Sequence, residues 1–223
     1  MCGRYSLTTP AEAMVALFEA GPLEGFRPRY NVAPTQSMPV VRIGAAGGRE
    51  WAWLRWGLVP SWAKDPAIGN RMINARSESV ADKPAFRAAL RRRRCLVPAD
   101  GFYEWQAERA GAKQPWRITL ADGGPFAFAG LWERWQPGEG EALETYTILT
   151  TRASPSLEAI HPRMPVILAP AHYDVWLGAG APADARLIEP LLAPYPDELL
   201  GAVPVARRVN DPRHDDAGCL EPA

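Results

Sequence analysis

The pattern of hydrophobic and polar positions divides the chain into many short, closely spaced segments. Trp51 and Trp53 alternate with other residues in the manner of a half-buried strand. A glycine-rich turn at residues 44–48 separates that segment from the apolar run before it. The pattern predicts strands over residues 38–43, 50–58, 95–97, 102–105, 116–120, 126–131, 146–151, 165–168 and 203–209.

Fewer segments follow the helical period. Residues 10–20 predict a short helix with Thr9 as its cap, and residues 79–93 predict a helix that starts late because of Pro84. Two further short helices are predicted over 170–177 and 184–192. Because strands outnumber helices and lie close together, we expect an α+β fold: a single antiparallel-β-rich domain with short flanking helices.

Charge and composition narrow the function classes. Lys and Arg total 25, and Asp and Glu also total 25, so the net charge is zero and cannot hold nucleic acid to the protein. A neutral protein can still carry a local basic groove. The basic run 91–94 is interpreted as a solvated helix end. No apolar run is long enough to span a bilayer, the first residues lack a signal-peptide pattern, and the three cysteines and three histidines are scattered. We expect a monomeric, cytoplasmic protein without metal or cofactor.

The first residues, Met1-Cys2-Gly3-Arg4, indicate a candidate nucleophile. Once Met1 is removed, Cys2 carries an α-amine and a thiol on adjacent carbons, with ordinary pKa values of about 8 and about 8.5. Such an aminothiol attacks an amide through its thiolate. With an aldehyde, its amine forms an imine that the thiol closes into a thiazolidine ring. A simpler interpretation, an ordinary cysteine beside the start of the chain, stays open at this point.

Four polar stretches lie in apolar or aromatic surroundings, at residues 29–35, 72–78, 98–105 and 159–165. Each alone has a structural explanation, such as an asparagine bonded to a turn, a carboxylate at an exposed strand edge, or a turn histidine before a proline. Together they supply a carboxylate, an imidazole, an amide and guanidinium groups. These groups serve proton transfer and anion binding.

Six motifs in fixed order then carry a family resemblance. They are MCGRY at 1–5, YNVAP at 30–34, WGLVPSW at 56–62, NARSE at 74–78, CLVPADGFYEW at 95–105 and HPRMP at 161–165. In this order they resemble the SOS-response-associated peptidase (SRAP) family, from residue 2 to about residue 210. The resemblance implies an SRAP domain over 2–210. It also implies a thiol autopeptidase that senses abasic sites in single-stranded DNA and shields them from strand cleavage by a covalent cross-link.

The resemblance implies a role for each motif residue. Cys2 would form a thiazolidine with the abasic sugar after loss of Met1, and Asn74 would hold the Cys2 backbone and the sugar. Glu104 would move protons during imine formation and ring closure, which requires a pKa nearer neutrality than usual. His161 would protonate the ring oxygen of the sugar, favouring the open aldehyde, and would assist reversal.

The remaining implied residues would bind DNA. Arg4, Arg76 and Arg163 would hold flanking phosphates through charge-assisted hydrogen bonds. Trp62 and Trp105 would stack on bases beside the lesion, although core packing is the alternative for both.

Two segments lie outside the resemblance. Residues 134–145 form a Gly- and Glu-rich stretch that matches no family motif, and residues 211–223 are expected to be a disordered tail. The mechanism also requires that Met1 be removed.

Two rival functions fit parts of the sequence. An N-terminal-nucleophile amidohydrolase or peptidase also uses a terminal cysteine, but a glutaminase domain of that kind needs an Asn-Gly segment, and the chain contains no Asn-Gly dipeptide. A non-catalytic reader of modified bases in DNA would use the same tryptophans and arginines without a covalent product.

Overall fold

Strands dominate the computed structural model, which describes residues 2–108, 111, 113–178 and 184–223. They are β1 Tyr5–Leu7, β2 Arg29–Val32, β3 Ser37–Ile43, β4 Arg49–Trp56, β5 Asn74–Arg76, β6 Arg94–Ala99, β7 Gly101–Ala107, β8 Lys113–Leu120, β9 Phe126–Trp135, β10 Leu143–Arg152, β11 Arg163–Pro165, β12 Ile167–Leu168 and β13 Leu200–Pro204. Most pairings are antiparallel, and β10 pairs in parallel with β4 and β5. The predicted antiparallel-rich α+β class is confirmed.

The helices are short and flank the strands. They are α1 Ala11–Phe18, α2 Arg87–Arg92, α3 Pro155–Glu158, α4 Tyr173–Leu177 and α5 Ala185–Ile188. Short 3₁₀ helices cover Pro66–Arg71, Ser77–Ser79, Pro170–His172, Glu189–Leu192, Asp197–Leu199, Arg207–Asn210 and Ala217–Leu220. Within the described ranges, no helix has both the length and the apolar character needed to cross a membrane.

The larger of two sheets closes into a barrel. Its strands follow the order β10-β4-β3-β6-β9, and β9 pairs back with β10 from Leu143↔Trp135 to Ile148↔Gly130. β11 and β5 add to β10, and β12 adds to β9. Closing the ring leaves no free edge within the barrel itself. The added strands β5 and β11 carry Asn74, Arg76 and Arg163.

The smaller sheet packs on the barrel through aromatic side chains. Its order is β13-β8-β7-β1-β2, which places β1 between β2 and β7. Tyr5 of β1 lies 5.3 Å from Trp56 and 5.8 Å from Phe128, measured between ring centroids, and both partners belong to barrel strands. The Tyr5 hydroxyl is also 2.8 Å from the Tyr146 hydroxyl. The start of the chain is therefore fixed between the two sheets.

Several predicted elements differ from the structure in extent. Of residues 79–93, only Arg87–Arg92 is α-helical, in line with a start delayed by Pro84. The predicted strand 203–209 is wrong in its second half, where the chain turns into the 3₁₀ helix Arg207–Asn210. Thr9 does not cap α1, because its hydroxyl and backbone N–H bond the buried carboxylate of Asp100 instead.

Residues 211–223, expected to be a disordered tail, make contacts that the sequence does not reveal. The Asp215 carboxylate accepts hydrogen bonds from the backbone N–H groups of Tyr30 at 2.6 Å and Asn31 at 2.9 Å. Cys219 is fully buried, and Val205 forms a β-bridge with Pro222. The buried Asn31 carboxamide completes the anchor by donating to the His214 carbonyl at 2.8 Å.

Residues 134–145 extend a β-hairpin. Trp135 of β9 pairs with Leu143 of β10, so the Gly- and Glu-rich stretch is the tip of two long barrel strands. The Trp135 indole N–H donates to the Ala63 carbonyl at 2.7 Å, which ties this hairpin to the segment after Trp62.

Candidate active site

Strand β1 carries Cys2 into the protein interior. The Arg4 carbonyl accepts a hydrogen bond from the Tyr103 N–H at 3.0 Å, and Tyr5 pairs with Phe102, so the residues before Arg4 run beside Glu104 of β7. Cys2 is fully buried, with its Sγ 3.8 Å from the Arg4 carbonyl. Burial raises the pKa of the thiol, and the Glu104 carboxylate raises it further. Met1, whose removal the predicted mechanism requires, lies outside the described residues.

Asn74 fixes the backbone of Cys2. It begins β5, where pairing with Ile148 of β10 sets its direction. Its Nδ2 donates to the Cys2 carbonyl at 2.8 Å. Its Oδ1 is buried and has no hydrogen-bond partner within the described part of the chain. A buried acceptor without a partner costs free energy, so this oxygen is suited to receive a donor from a ligand.

Glu104 is a buried carboxyl group on β7. Burial raises its pKa to about 7, because the charged form loses its hydration. Its effect on the thiol pKa shows that it lies within electrostatic range of Cys2. A carboxyl group that titrates near neutral pH can both accept and donate a proton under physiological conditions.

The raised pKa of Glu104 predicts that the protein loses stability when this carboxyl group ionises. The folded protein binds this proton more tightly than the unfolded chain does, so the free energy of unfolding falls as pH rises from 4.5 to about 7. Glu104→Gln cannot ionise, so we expect the variant to gain about 3 kcal/mol over the wild type between pH 4.5 and pH 8. Urea unfolding of both proteins across that range measures the difference. A difference that stays constant with pH would mean that Glu104 keeps an ordinary pKa.

His161 lies beside Glu104. It follows α3, and its Nδ1 is 3.9 Å from Glu104 Oε2. Its Nδ1 lies 3.0 Å from both the N–H and the carbonyl oxygen of Arg163, so it accepts from the N–H in one tautomer and donates to the carbonyl in the other. Burial lowers the pKa of His161, so the neutral ring predominates at pH 7. Glu104, His161 and Arg163 line one narrow cleft with Phe102 and Leu157.

Of the three arginines expected at flanking phosphates, Arg76 and Arg163 differ in their surroundings. Arg76 ends β5 with an exposed side chain. Arg163 forms a two-pronged ion pair with Glu78, at 2.6 and 3.0 Å, and donates to the Thr150 carbonyl at 2.6 Å. A phosphate therefore competes with Glu78 for Arg163, whereas Arg76 is directly accessible.

Arg4 is engaged inside the protein. Its Nη1 donates to the Asn31 carboxamide oxygen at 3.1 Å and to the Val209 carbonyl at 2.8 Å. The structure thus gives Arg4 a position between β1 and the C-terminal segment rather than the exposed position of Arg76. From the sequence alone, Asn31 fits a turn residue, because the contacts that make it the centre of this anchor span distant parts of the chain.

The two candidate stacking residues are both accessible, to different degrees. The Trp62 side chain is 59% exposed and lines a shallow pocket with Lys64 and Arg71. Trp105 is half-buried, and its indole N–H donates to the Asn210 Oδ1 at 2.7 Å. Within the ranges that the structure describes, no group of three or more His, Cys, Asp or Glu side chains could hold a metal ion.

The fold and the site together define a class of proteins in which the start of the chain lies inside the candidate active site. Comparison with known families identifies that class. The chain belongs to the SOS response associated peptidase (SRAP) family, whose model matches residues 1–212.

Named relatives and solved structures agree with this assignment. The chain is 41% identical to the abasic site processing protein YoaM of Bacillus subtilis, over 99% of this chain and 98% of that protein. It is 34% identical to the abasic site processing protein HMCES of Gallus gallus, over 88% of this chain and 67% of that protein. A crystal structure of a protein from Bacteroides thetaiotaomicron superposes with a TM-score of 0.89 at 26% identity, covering both chains fully.

Proposed function

We propose that this protein processes abasic sites in single-stranded DNA by forming a thiazolidine cross-link through Cys2 after Met1 is removed. The main observation behind the proposal is that the site residues surround Cys2. Asn74 donates to the Cys2 carbonyl, Glu104 lies within electrostatic range of the Cys2 thiol, and His161 lies beside Glu104. The relatives named as abasic site processing proteins support the same substrate.

The reaction proceeds in two bond-forming steps. The α-amine of Cys2 adds to the aldehyde carbon C1′ of the ring-opened sugar, and loss of one water gives an imine. The thiol sulfur then adds to that carbon, its proton passes by way of Glu104 to the imine nitrogen, and the five-membered ring closes. The link is formed without a redox change, and it removes the aldehyde that would otherwise promote strand cleavage by β-elimination.

The acid–base groups suit these steps. Because burial keeps the Cys2 thiol protonated, the proton must leave as sulfur attacks, and the Glu104 carboxylate is the nearby acceptor. In its protonated form, Glu104 donates to the departing hydroxyl during imine formation. In its protonated form, His161 can donate to the sugar ring oxygen, which favours the open aldehyde, and its lowered pKa makes the imidazolium a ready proton donor.

Intact mass spectrometry tests the proposal directly. The purified protein should lack Met1, and incubation with an abasic single-stranded oligonucleotide should give an adduct equal to the two masses less one water. An oligonucleotide with an ordinary base at that position should give none. Retention of Met1 together with an unmodified mass after incubation would refute the mechanism.

We assign the flanking phosphate contact first to Arg76. Arg76→Ala should weaken capture of single-stranded DNA and reduce the slope of log affinity against log salt by about 0.7 to 1, because one fewer counterion is released. Arg163→Ala should reduce the slope less, because Glu78 already neutralises Arg163. Fluorescence anisotropy over a salt series measures both slopes. Unchanged slopes in both variants would place the phosphates elsewhere, such as at the exposed side chains of Arg91 and Arg92.

A further inference from the structure

A small open cleft lies beside the site on the other face of the β7–β8 hairpin. It is lined by Trp105, Lys113, Arg207 and Asn210. Trp105 pairs with Pro115 across the hairpin, so Trp105 and Lys113 lie on the same face, whereas Glu104 faces the opposite side. Each lining residue offers a group that binds part of a nucleotide: an aromatic face, two cationic groups and a carboxamide.

The cleft adjoins the edge at which a DNA strand would pass Cys2. β1 pairs with β7 at Gly101 and Phe102, and the last backbone bond between the two segments runs from the Tyr103 N–H to the Arg4 carbonyl. Within the described ranges, β7 beyond Tyr103 pairs with no other strand on that side. The pKa of His161, lowered chiefly by burial, is lowered further by the charge of Lys113, which places the cleft within electrostatic range of the acid–base pair. A strand with its abasic sugar at Glu104 can therefore turn over this edge and bring its next nucleotide to Trp105.

The cations of the cleft are available for a phosphate. Lys113 is exposed and forms no ion pair within the described ranges of the chain. Arg207 pairs with Glu108 at 3.1 Å, but both side chains are largely exposed, and exposed pairs of this kind contribute little to stability. A phosphate oxygen can replace Glu108 at small cost, and it would gain a second contact from Lys113.

One wall of the cleft belongs to the C-terminal segment, and it is firmly held. Val209, next to Asn210, is buried, and its carbonyl accepts hydrogen bonds from Arg4 at 2.8 Å and from Asn31 at 3.2 Å. Asn210 accepts from the Trp105 indole N–H at 2.7 Å and so fixes the plane of the ring. A stacking surface with a fixed orientation binds a base at a smaller entropic cost.

The family resemblance already implies that a base beside the lesion stacks on Trp105. We propose that Lys113 and Arg207 hold the phosphate of that same nucleotide and that Asn210 is the positioning residue for Trp105. The inference rests on the proposed function, because it takes single-stranded DNA as the ligand. It assigns a binding role to residues 207–210, a segment that follows the last of the family motifs in the sequence.

The test uses an oligonucleotide that contains a tetrahydrofuran abasic analogue, which lacks the aldehyde and so reports binding without cross-linking. With a central analogue, Lys113→Ala and Arg207→Ala should each reduce the salt slope by about 0.7 to 1, and the double variant by about twice that. Asn210→Ala should lower affinity without changing the slope, because no charge is lost. Arg186→Ala is the matched control, since Arg186 forms an exposed ion pair with Asp184 elsewhere on the chain.

Two further oligonucleotides, with the analogue at the 5′ end or at the 3′ end, locate the cleft. Each retains nucleotides on one side only, so the effects of Lys113→Ala and Arg207→Ala should vanish with one and persist with the other. An unchanged slope in the double variant, or equal losses with all three oligonucleotides, would overturn the cleft as a subsite. Cross-linking of a genuine abasic oligonucleotide by the wild type tests the proposed function separately, so failure of one is distinguishable from failure of the other.

Discussion

Cys2→Ala should reduce the heat-stable cross-link to an abasic oligonucleotide below detection. The variant keeps an α-amine after removal of Met1 but has no thiol, so any imine that forms stays open to hydrolysis. Cys2→Ser should leave a weak imine that borohydride traps, because a hydroxyl closes the ring less readily than a thiol does. Denaturing gel electrophoresis after heating, with and without borohydride, separates these products.

Cys219→Ala provides a control for this experiment. Cys219 is a buried, free thiol like Cys2, but it lies within the chain and has no adjacent α-amine. Its loss should leave cross-linking intact. A heat-stable product from Cys2→Ala at the wild-type level would exclude the aminothiol mechanism. Undiminished non-covalent binding by that variant, in a protein whose wild type also forms no adduct, would instead support a reader of modified DNA.

Glu104→Gln should slow formation of the cross-link by about 100-fold or more, the usual loss when a general acid–base group is removed. The glutamine keeps the size of the side chain but can neither accept the thiol proton nor donate to the departing hydroxyl. Since the pKa of Glu104 is about 7, the wild-type rate should also vary with pH around neutrality, and the variant should lose that variation.

His161→Ala should act more strongly on reversal than on formation. Proton donation by His161 favours opening of the sugar, and this step matters less when the aldehyde is already populated. Release of the DNA requires the same proton transfers in the opposite direction, starting from the closed thiazolidine ring. Time courses of adduct formation, and of release onto excess trap oligonucleotide, measure the two rates. Glu158→Gln, an exposed glutamate on α3 near His161, is the control for loss of a neighbouring carboxylate. Wild-type rates in both directions would leave His161 with a structural role alone.

The sequence predicts the β-rich class and the reactive start of the chain, because both are visible in short segments. The alternation of hydrophobic and polar residues predicts β4, and the glycines predict the turn at 44–48. In that turn the Gly44 N–H donates to the Gly48 carbonyl at 2.8 Å. The short strands β1 and β5 are missed, because three residues carry too little periodicity to stand out. Their position is set by pairing with β7 and β10, which is a property of the tertiary fold.

The site residues are brought together by tertiary contacts between segments that are distant in the sequence. Asn74 reaches Cys2 across 72 positions, and the pKa of Glu104 is raised by burial that its own segment does not show. The family motifs identify these residues by resemblance. They do not show that Arg4 and Arg163 already form hydrogen bonds and ion pairs within the protein. The contacts of residues 211–223 have the same origin, since Asp215 binds backbone groups of a segment far away in the sequence.

The bond from Arg4 to the Val209 carbonyl joins positions 205 residues apart, and this has a consequence for biosynthesis. A ribosome delivers β1 early, yet the anchor that holds it can form only when nearly the whole domain has emerged. Closing so long a loop makes this contact a late event in folding. A nascent chain therefore carries Cys2 without the finished site around it, and under the proposed function it could cross-link DNA only after residues 207–210 have folded against β1.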